Sequence, residues 1–199
     1  DEPVKMGNGN YITGGQDKDG LPVVAVSRGE DLTKWDTVSL PFESALQPSF
    51  AETTVCADGV EVTAVIRGGS GVAWVSTSED GGRTWSVAVA SNFPMPRAKA
   101  YLGKLSNGQR YLVSNLKDRN TLVISVSRLG ERTLSAMFRV RHGKSEAPRF
   151  PGHAKSSQWS YPYAYEYKEK LYVLYSIGKE ECGLTTIPLA SLTEKYASE

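Results

Sequence analysis

Apolar residues along this chain come in short β-branched and aromatic runs, broken by polar turns rich in Gly, Asn and Asp. Helical spacing of apolar positions is almost absent. Runs of this length and make-up predict strands. One order recurs: a strand, a tight turn, a second strand, a loop, a third strand and a polar turn. The clearest copy opens at Thr53-Thr54-Val55-Cys56, turns at Ala57-Asp58-Gly59 and runs from Val60 to Arg67. It continues past Gly68-Gly69-Ser70-Gly71 through Val72 to Thr77, and ends in Ser78-Glu79-Asp80-Gly81-Gly82-Arg83-Thr84-Trp85. An earlier copy has Tyr11-Ile12-Thr13, the turn Asp17-Lys18-Asp19-Gly20, Val23 to Val26, and Asp31-Leu32-Thr33-Lys34-Trp35. A third runs from Ala100 to Leu105, turns at Ser106-Asn107-Gly108, and resumes at Tyr111 to Ser114 and Thr121 to Ser127. A last copy has Tyr161 to Tyr167, Lys168-Glu169-Lys170, Leu171 to Ser176 and Cys182 to Ile187.

Repeats at a period of roughly 40–60 residues predict the blades of a β-propeller. A blade is a small twisted sheet that cannot bury both faces alone, so neighbouring blades must cover them. No Pro/Ser linker or low-complexity tract divides the chain. The segment from Arg139 to Ser157 is basic and poor in strand signal, and predicts a long inter-blade loop.

Charge then narrows the range of partners. The 23 Lys and Arg nearly balance the 22 Asp and Glu, for a formal net charge of +1. No basic stripe with interleaved aromatics marks a nucleic-acid surface. No apolar run is long enough to predict a membrane-spanning helix. The opening Asp1-Glu2-Pro3 reads as a processed chain or one that starts in mid-protein. Cys56 and Cys182 fit no zinc spacing and no redox motif. Both lie in apolar strand-like runs, which predicts two buried thiols.

Ser78-x-Asp80-x-Gly82-x-Thr84-Trp85 matches the Asp-box pattern S-x-D-x-G-x-T-W at all five of its specified positions. Its chemistry is structural. Asp80 can accept backbone N–H bonds, Gly81 and Gly82 permit positive φ, and Trp85 can pack while satisfying its indole N–H. Asp31-Leu32-x-x-Trp35 is a degenerate relative, and Arg128-Leu129-Gly130-Glu131-Arg132 has lost the motif. From the box and the order of motifs between Glu52 and Ser176, the chain resembles the C-terminal part of the sialidase-like superfamily. The resemblance implies an all-β propeller domain over residues 1–199, about four blades of a six-bladed ring. It places the box away from the active site, so Asp80 has no catalytic role in this reading.

The resemblance also implies site residues. A glutamate before a strand–turn–strand ending in arginine corresponds to Glu52 and Arg67. A second arginine, after a strand ending in Ser-Asn, corresponds to Arg119. A tyrosine opening the innermost strand of the last blade corresponds to Tyr161. Arginine suits the carboxylate of a sialoside because its guanidinium is always charged and can bind both oxygens. A neutral tyrosine nucleophile avoids repulsion by that carboxylate, with Glu52 as the base that removes its proton; sialidases are a tyrosine exception among glycosidases. Arg97 is a further candidate sugar contact.

The family's first arginine and its acid/base aspartate belong to N-terminal blades that no segment before Glu52 matches. The expectation is therefore a partial propeller, with an end blade left open. The resemblance implies an exo-acting glycoside hydrolase for terminal acidic sugars, working outside the cytoplasm (secreted or periplasmic), with no metal or organic cofactor.

Plainer readings stand beside these. Glu52 could be a solvated strand-start carboxylate and Arg67 a surface cation. Arg119 could pair with Asp118 in a turn. Tyr161, Tyr163, Tyr165 and Tyr167 alternate, which puts them on one face of a strand, most of them as packing residues. His142 and His153 read as loop residues, and Trp159 as either a sugar-stacking or a packing ring. At the level of function, the alternatives are a non-catalytic carbohydrate-binding propeller and a hydrolase or lyase for another acidic sugar.

Overall fold

The structure is a computed structural model that describes residues 1–43, 46 and 50–193. The chain divides into two compact units, Asp1–Arg97 and Ala98–Glu199. In the first, β1 (Val4–Lys5), β2 (Tyr11–Gln16), β3 (Pro22–Arg28) and β4 (Asp31–Ser39) form one sheet in that order. The strands β5 (Thr53–Asp58), β6 (Glu61–Ile66), β7 (Val72–Ser78) and β8 (Val89–Pro94) form another. In the second unit, β9 (Tyr101–Lys104), β10 (Arg110–Leu116), β11 (Asp118–Ser127) and β12 (Leu134–His142) form a sheet. The strands β13 (Trp159–Tyr167), β14 (Lys170–Ile177) and β15 (Glu181–Pro188) form the last, followed by the single-turn helix α1 (Ala190–Thr193). Neighbours within each sheet are antiparallel and consecutive in the chain, the meander of a propeller blade.

Each unit has its own core. In the first, Ile12, Val24 and Val26 pack with Val55, Val62, Ala64, Ile66 and Trp74. Trp74 is completely buried; truncation of such a ring to alanine costs about 3–5 kcal/mol. In the second, Tyr111, Val113, Leu122, Ile124 and Val126 meet Ala164, Leu171, Val173 and Tyr175. The central strands are covered on both sides. All six residues Arg110–Asn115 of β10 are buried, so this strand reads as a continuous run rather than an alternation.

Several expectations are corrected. The first repeat lacks its opening strand in the sequence reading, and the short β1 supplies it, so Tyr11 opens the second strand. The polar turn at Asp31–Trp35 is the start of a nine-residue strand, β4. The loop expected from Arg139 begins later, because Arg139, Val140, Arg141 and His142 belong to β12. Leu134, Ala136, Phe138 and Val140 alternate with polar or exposed positions there, a half-buried pattern. Cys56 is buried as expected, but Cys182 is exposed, because β15 lies at the edge of its sheet. Tyr161, Tyr165 and Tyr167 are exposed at 39%, 53% and 51%. Of the four tyrosines only Tyr163 packs into the core, its ring 4.8 Å from that of Tyr101.

Candidate functional site

The turn Ser78–Trp85 follows β7. Asp80 Oδ1 accepts the backbone N–H groups of Arg83 at 3.0 Å and Thr84 at 2.9 Å and the Ser78 hydroxyl at 2.9 Å; its Oδ2 accepts the Thr84 hydroxyl at 2.6 Å. The Thr84 hydroxyl and amide, followed by Ser78 and the Arg83 amide, hold the carboxyl well below its ordinary value, at about 2. Gly82 N donates to Ser78 Oγ at 2.9 Å, and Trp85 Nε1 to the Gly82 carbonyl at 2.9 Å. The Asp31–Trp35 segment makes the same closing bond, from Trp35 Nε1 to the Leu32 carbonyl at 2.7 Å. Its aspartate accepts the Thr33 amide at 2.9 Å. Every bond of Asp80 is spent on the turn, so its role is architectural.

Glu52 and Arg67 lie at the other end of the same sheet. Thr53 pairs with Ile66, whereas Ser78 pairs with Val62 at the far end of β6. Arg67 N donates to the Glu52 carbonyl at 3.1 Å, and Arg67 Nη1 donates to Glu52 Oε2 at 2.6 Å. The two side chains are 13% and 25% exposed, so Arg67 is not a plain surface cation. Its Nε is buried without a partner. Phe50, at φ 53°, sets its ring 5.9 Å from the Arg67 guanidinium carbon. Arg97 is exposed at the end of this unit.

Tyr161 has an unusual backbone. In the β13–β14 ladder Ser160 pairs with Ser176 and Tyr163 with Leu174. Tyr161 and Pro162 therefore stand opposite Tyr175 alone, which is a β-bulge. Proline fits a bulge because it has no N–H to leave unpaired. Tyr161 adopts φ 52°, a left-handed conformation costing an ordinary residue roughly 1–2 kcal/mol. Two cations flank its ring: Arg119 with its guanidinium carbon at 5.9 Å, and Lys179 with Nζ at 5.2 Å.

Arg119 stands near the start of β11, just past the left-handed Lys117 that closes the β10–β11 turn. Its Nη1 donates to Gln158 Oε1 at 2.7 Å. Asp118 is occupied with Asn120, accepting its backbone N–H at 2.8 Å and its side-chain amide at 2.9 Å. Trp159 is a packing ring: Nε1 donates to the Gly143 carbonyl at 2.8 Å, and the ring meets Tyr175 edge-on at 5.8 Å. His142 is exposed, its Nδ1 3.3 Å from Thr121 Oγ1. Among the described residues no group of three or more His, Cys, Asp or Glu is placed to hold a metal ion. No helix among them is long and apolar enough to cross a membrane.

The structure thus brings Glu52 to Arg67 in the first unit and Arg119 to Tyr161 in the second. Sequence reasoning missed Lys179 and Gln158. Neither carries a signal of its own, since both reach the site through the fold of a turn and a loop.

Antiparallel meanders of three or four strands in succession define the blades of a β-propeller. The chain belongs to the BNR repeat-like domain family, whose match covers residues 2–173. No curated protein matches the sequence. Among solved structures, the chain is similar to the leech intramolecular trans-sialidase complexed with 2,7-anhydro-Neu5Ac. The identity is 14%, the TM-score 0.73, and the match covers 98% of this chain and 32% of that one. A Hadza microbial sialidase is 16% identical with a TM-score of 0.69, over 95% of this chain and 37% of that one. An exo-β-1,3-galactanase from Phanerochaete chrysosporium is 12% identical with a TM-score of 0.68, over 94% of this chain and 46% of that one. The chain therefore spans about a third to a half of the length of these relatives.

Proposed function

We propose that this chain carries part of an exo-acting glycoside hydrolase for terminal acidic sugars, sialosides foremost, working outside the cytoplasm. Tyr161 is the nucleophile, Glu52 the base that takes its proton, and Arg67 and Arg119 bind the sugar carboxylate, with Arg97 a further contact. The observation that carries this reading is Tyr161 itself. Its ring is exposed, flanked by two cations, and held in a left-handed bulge position where glycine is usual. Strained non-glycine residues concentrate at functional sites. Bond formation from the Tyr161 oxygen to the anomeric carbon, with departure of the aglycone, would give a covalent glycosyl-enzyme that water then hydrolyses.

The test is turnover of an aryl sialoside by the complete protein. The Tyr161 hydroxyl makes no hydrogen bond to any described residue. Tyr161→Phe should therefore leave the melting temperature within about 1 °C, since surface changes of this kind are nearly neutral. It should lower turnover by about 10³-fold or more, as loss of a nucleophile does. Turnover like that of the unaltered protein would end the nucleophile assignment.

One observation favours a second reading. Glu52 and Arg67 are bound to each other at 2.6 Å, an arrangement that suits a carbohydrate-binding propeller without chemistry as well as a hydrolase. Binding of sialyl or uronyl oligosaccharides with no release of product would select it.

A further inference from the structure

Gln158 and Glu180 touch no residue assigned a chemical step other than Arg119, yet both are built into the surroundings of Tyr161. Gln158 is buried, at 3% exposure, and each part of it is engaged. Its backbone N–H donates to Ser145 Oγ at 2.7 Å, and its carbonyl accepts Gly178 N at 3.0 Å. Its Nε2 donates to the Ala154 carbonyl and to Ser156 Oγ, both at 3.0 Å. This leaves Oε1 to accept Arg119 Nη1 at 2.7 Å. The side-chain amide is thereby oriented by the 143–158 loop and in turn orients the guanidinium.

The loop is held from the β14–β15 turn. Glu180 accepts the backbone N–H groups of Arg149 and Phe150, each at 2.8 Å, and the Lys155 ammonium at 2.8 Å. Its side chain is 8% exposed. The Lys155 ammonium first, with the Arg149 and Phe150 amides, holds its carboxyl at about 2, so it is ionised across the physiological range. A second contact, Arg149 to Glu181 at 2.7 Å, is exposed and adds little. The residue before Glu180 is Lys179, whose Nζ lies 5.2 Å from the Tyr161 ring centroid. One turn therefore presents a cation to Tyr161 and a carboxylate to the loop that fixes Arg119.

We propose that Gln158 and Glu180 are positioning residues for the Tyr161 site: Gln158 fixes the Arg119 guanidinium beside the ring, and Glu180 clamps the loop that carries Gln158. What this means for substrate rests on the sialidase-like reading. The coupling itself does not, because it can be measured without substrate.

The experiment is NMR of the full chain with tyrosines labelled at Cζ, the Tyr161 resonance assigned by its loss in Tyr161→Phe. Arg119→Ala moves this resonance by removing a cation from the ring. Gln158→Ala moves it in the same direction. Glu180→Ala raises amide exchange at Arg149 and Phe150 by about tenfold or more, as expected for a loop that opens locally, and moves the Tyr161 resonance part of the way. If Glu180→Ala does not fold, Lys155→Met loosens the same clamp from the loop side and is read in the same way. A Tyr161 resonance that stays in place in folded Gln158→Ala, or that Arg119→Ala does not move, overturns the proposal. So does unchanged protection at Arg149 and Phe150 in the clamp variants. A sialoside assay of the complete protein without turnover, alongside these shifts, sinks the hydrolase reading and leaves the positioning roles standing.

Discussion

At the scale of single residues, Asp80 commits both of its carboxylate oxygens to one turn. It accepts bonds from Ser78, Arg83 and Thr84, and these are strongest when it is a carboxylate. Its carboxyl is lowered in the folded state, from 3.8 to about 2. A depressed carboxyl contributes stability that is full above its unfolded value and is lost as pH falls through its folded one. Asp80→Ala should therefore lower stability at pH 7 by about 1 kcal/mol, a typical net value for side-chain bonds of this kind. Below pH 2 the variant and the unaltered protein should melt alike. Thermal melts at pH 7, 4 and 2 check this; a difference that persists undiminished at the lowest pH would assign the loss to packing. Tyr161 makes the opposite bargain, standing in a strained conformation with an exposed ring.

At the scale of elements, two cross-strand pairs join glycine to tyrosine: Gly103 with Tyr111, and Gly183 with Tyr175. In each, the tyrosine ring lies where a Cβ would be, at 2.4 Å from its ideal position. Tyr111 is buried at 4% exposure, so its ring has no room to yield. Gly103→Ala should cost about 1–3 kcal/mol, the range for overpacking. Gly15→Ala, also in a strand but facing open space, should stay within about 0.5 kcal/mol, as surface changes do. Equal losses in the two would rule out the ring contact as the cause.

The elements also show what the sequence carried and what it hid. Strands such as β5 and β10 are buried on both faces over most of their length, and the short apolar runs at their centres stand out. Outer strands face solvent and take polar residues: β4 reads Asp-Leu-Thr-Lys-Trp-Asp-Thr-Val-Ser, and β12 ends Arg-Val-Arg-His. Their alternation is diluted by charge, which is why one passed for a turn and the other for the start of a loop. The candidate site divides similarly. Glu52, Arg67, Arg119 and Tyr161 sit at strand ends, where residue type and motif order point to them. Gln158 and Lys179 reach the Tyr161 site by hydrogen bonding and turn geometry that no local pattern encodes.

At the scale of the whole molecule, the chain carries a formal net charge of +1 and a sequence isoelectric point of about 7.9. Repulsion between copies is therefore weak near neutral pH, while Phe50, Leu129, Phe150 and Leu184 each expose more than half of their surface. Proteins near zero net charge associate most readily. Light scattering of the chain should peak close to pH 8 and fall on acidification to pH 6. Scattering independent of pH would exclude charge as the controlling factor.

The Ser78–Trp85 turn has a further consequence. Its side-chain bonds all close within eight consecutive residues, and the Asp31–Trp35 segment preserves the closing indole bond after most of the other letters have changed. A unit that carries its own wiring is portable. It can be copied by gene duplication into successive hairpins and then drift while its closing indole bond persists. By the same logic the octapeptide is a cassette, and the Arg128–Glu131 corner between β11 and β12 is the natural place to transplant it.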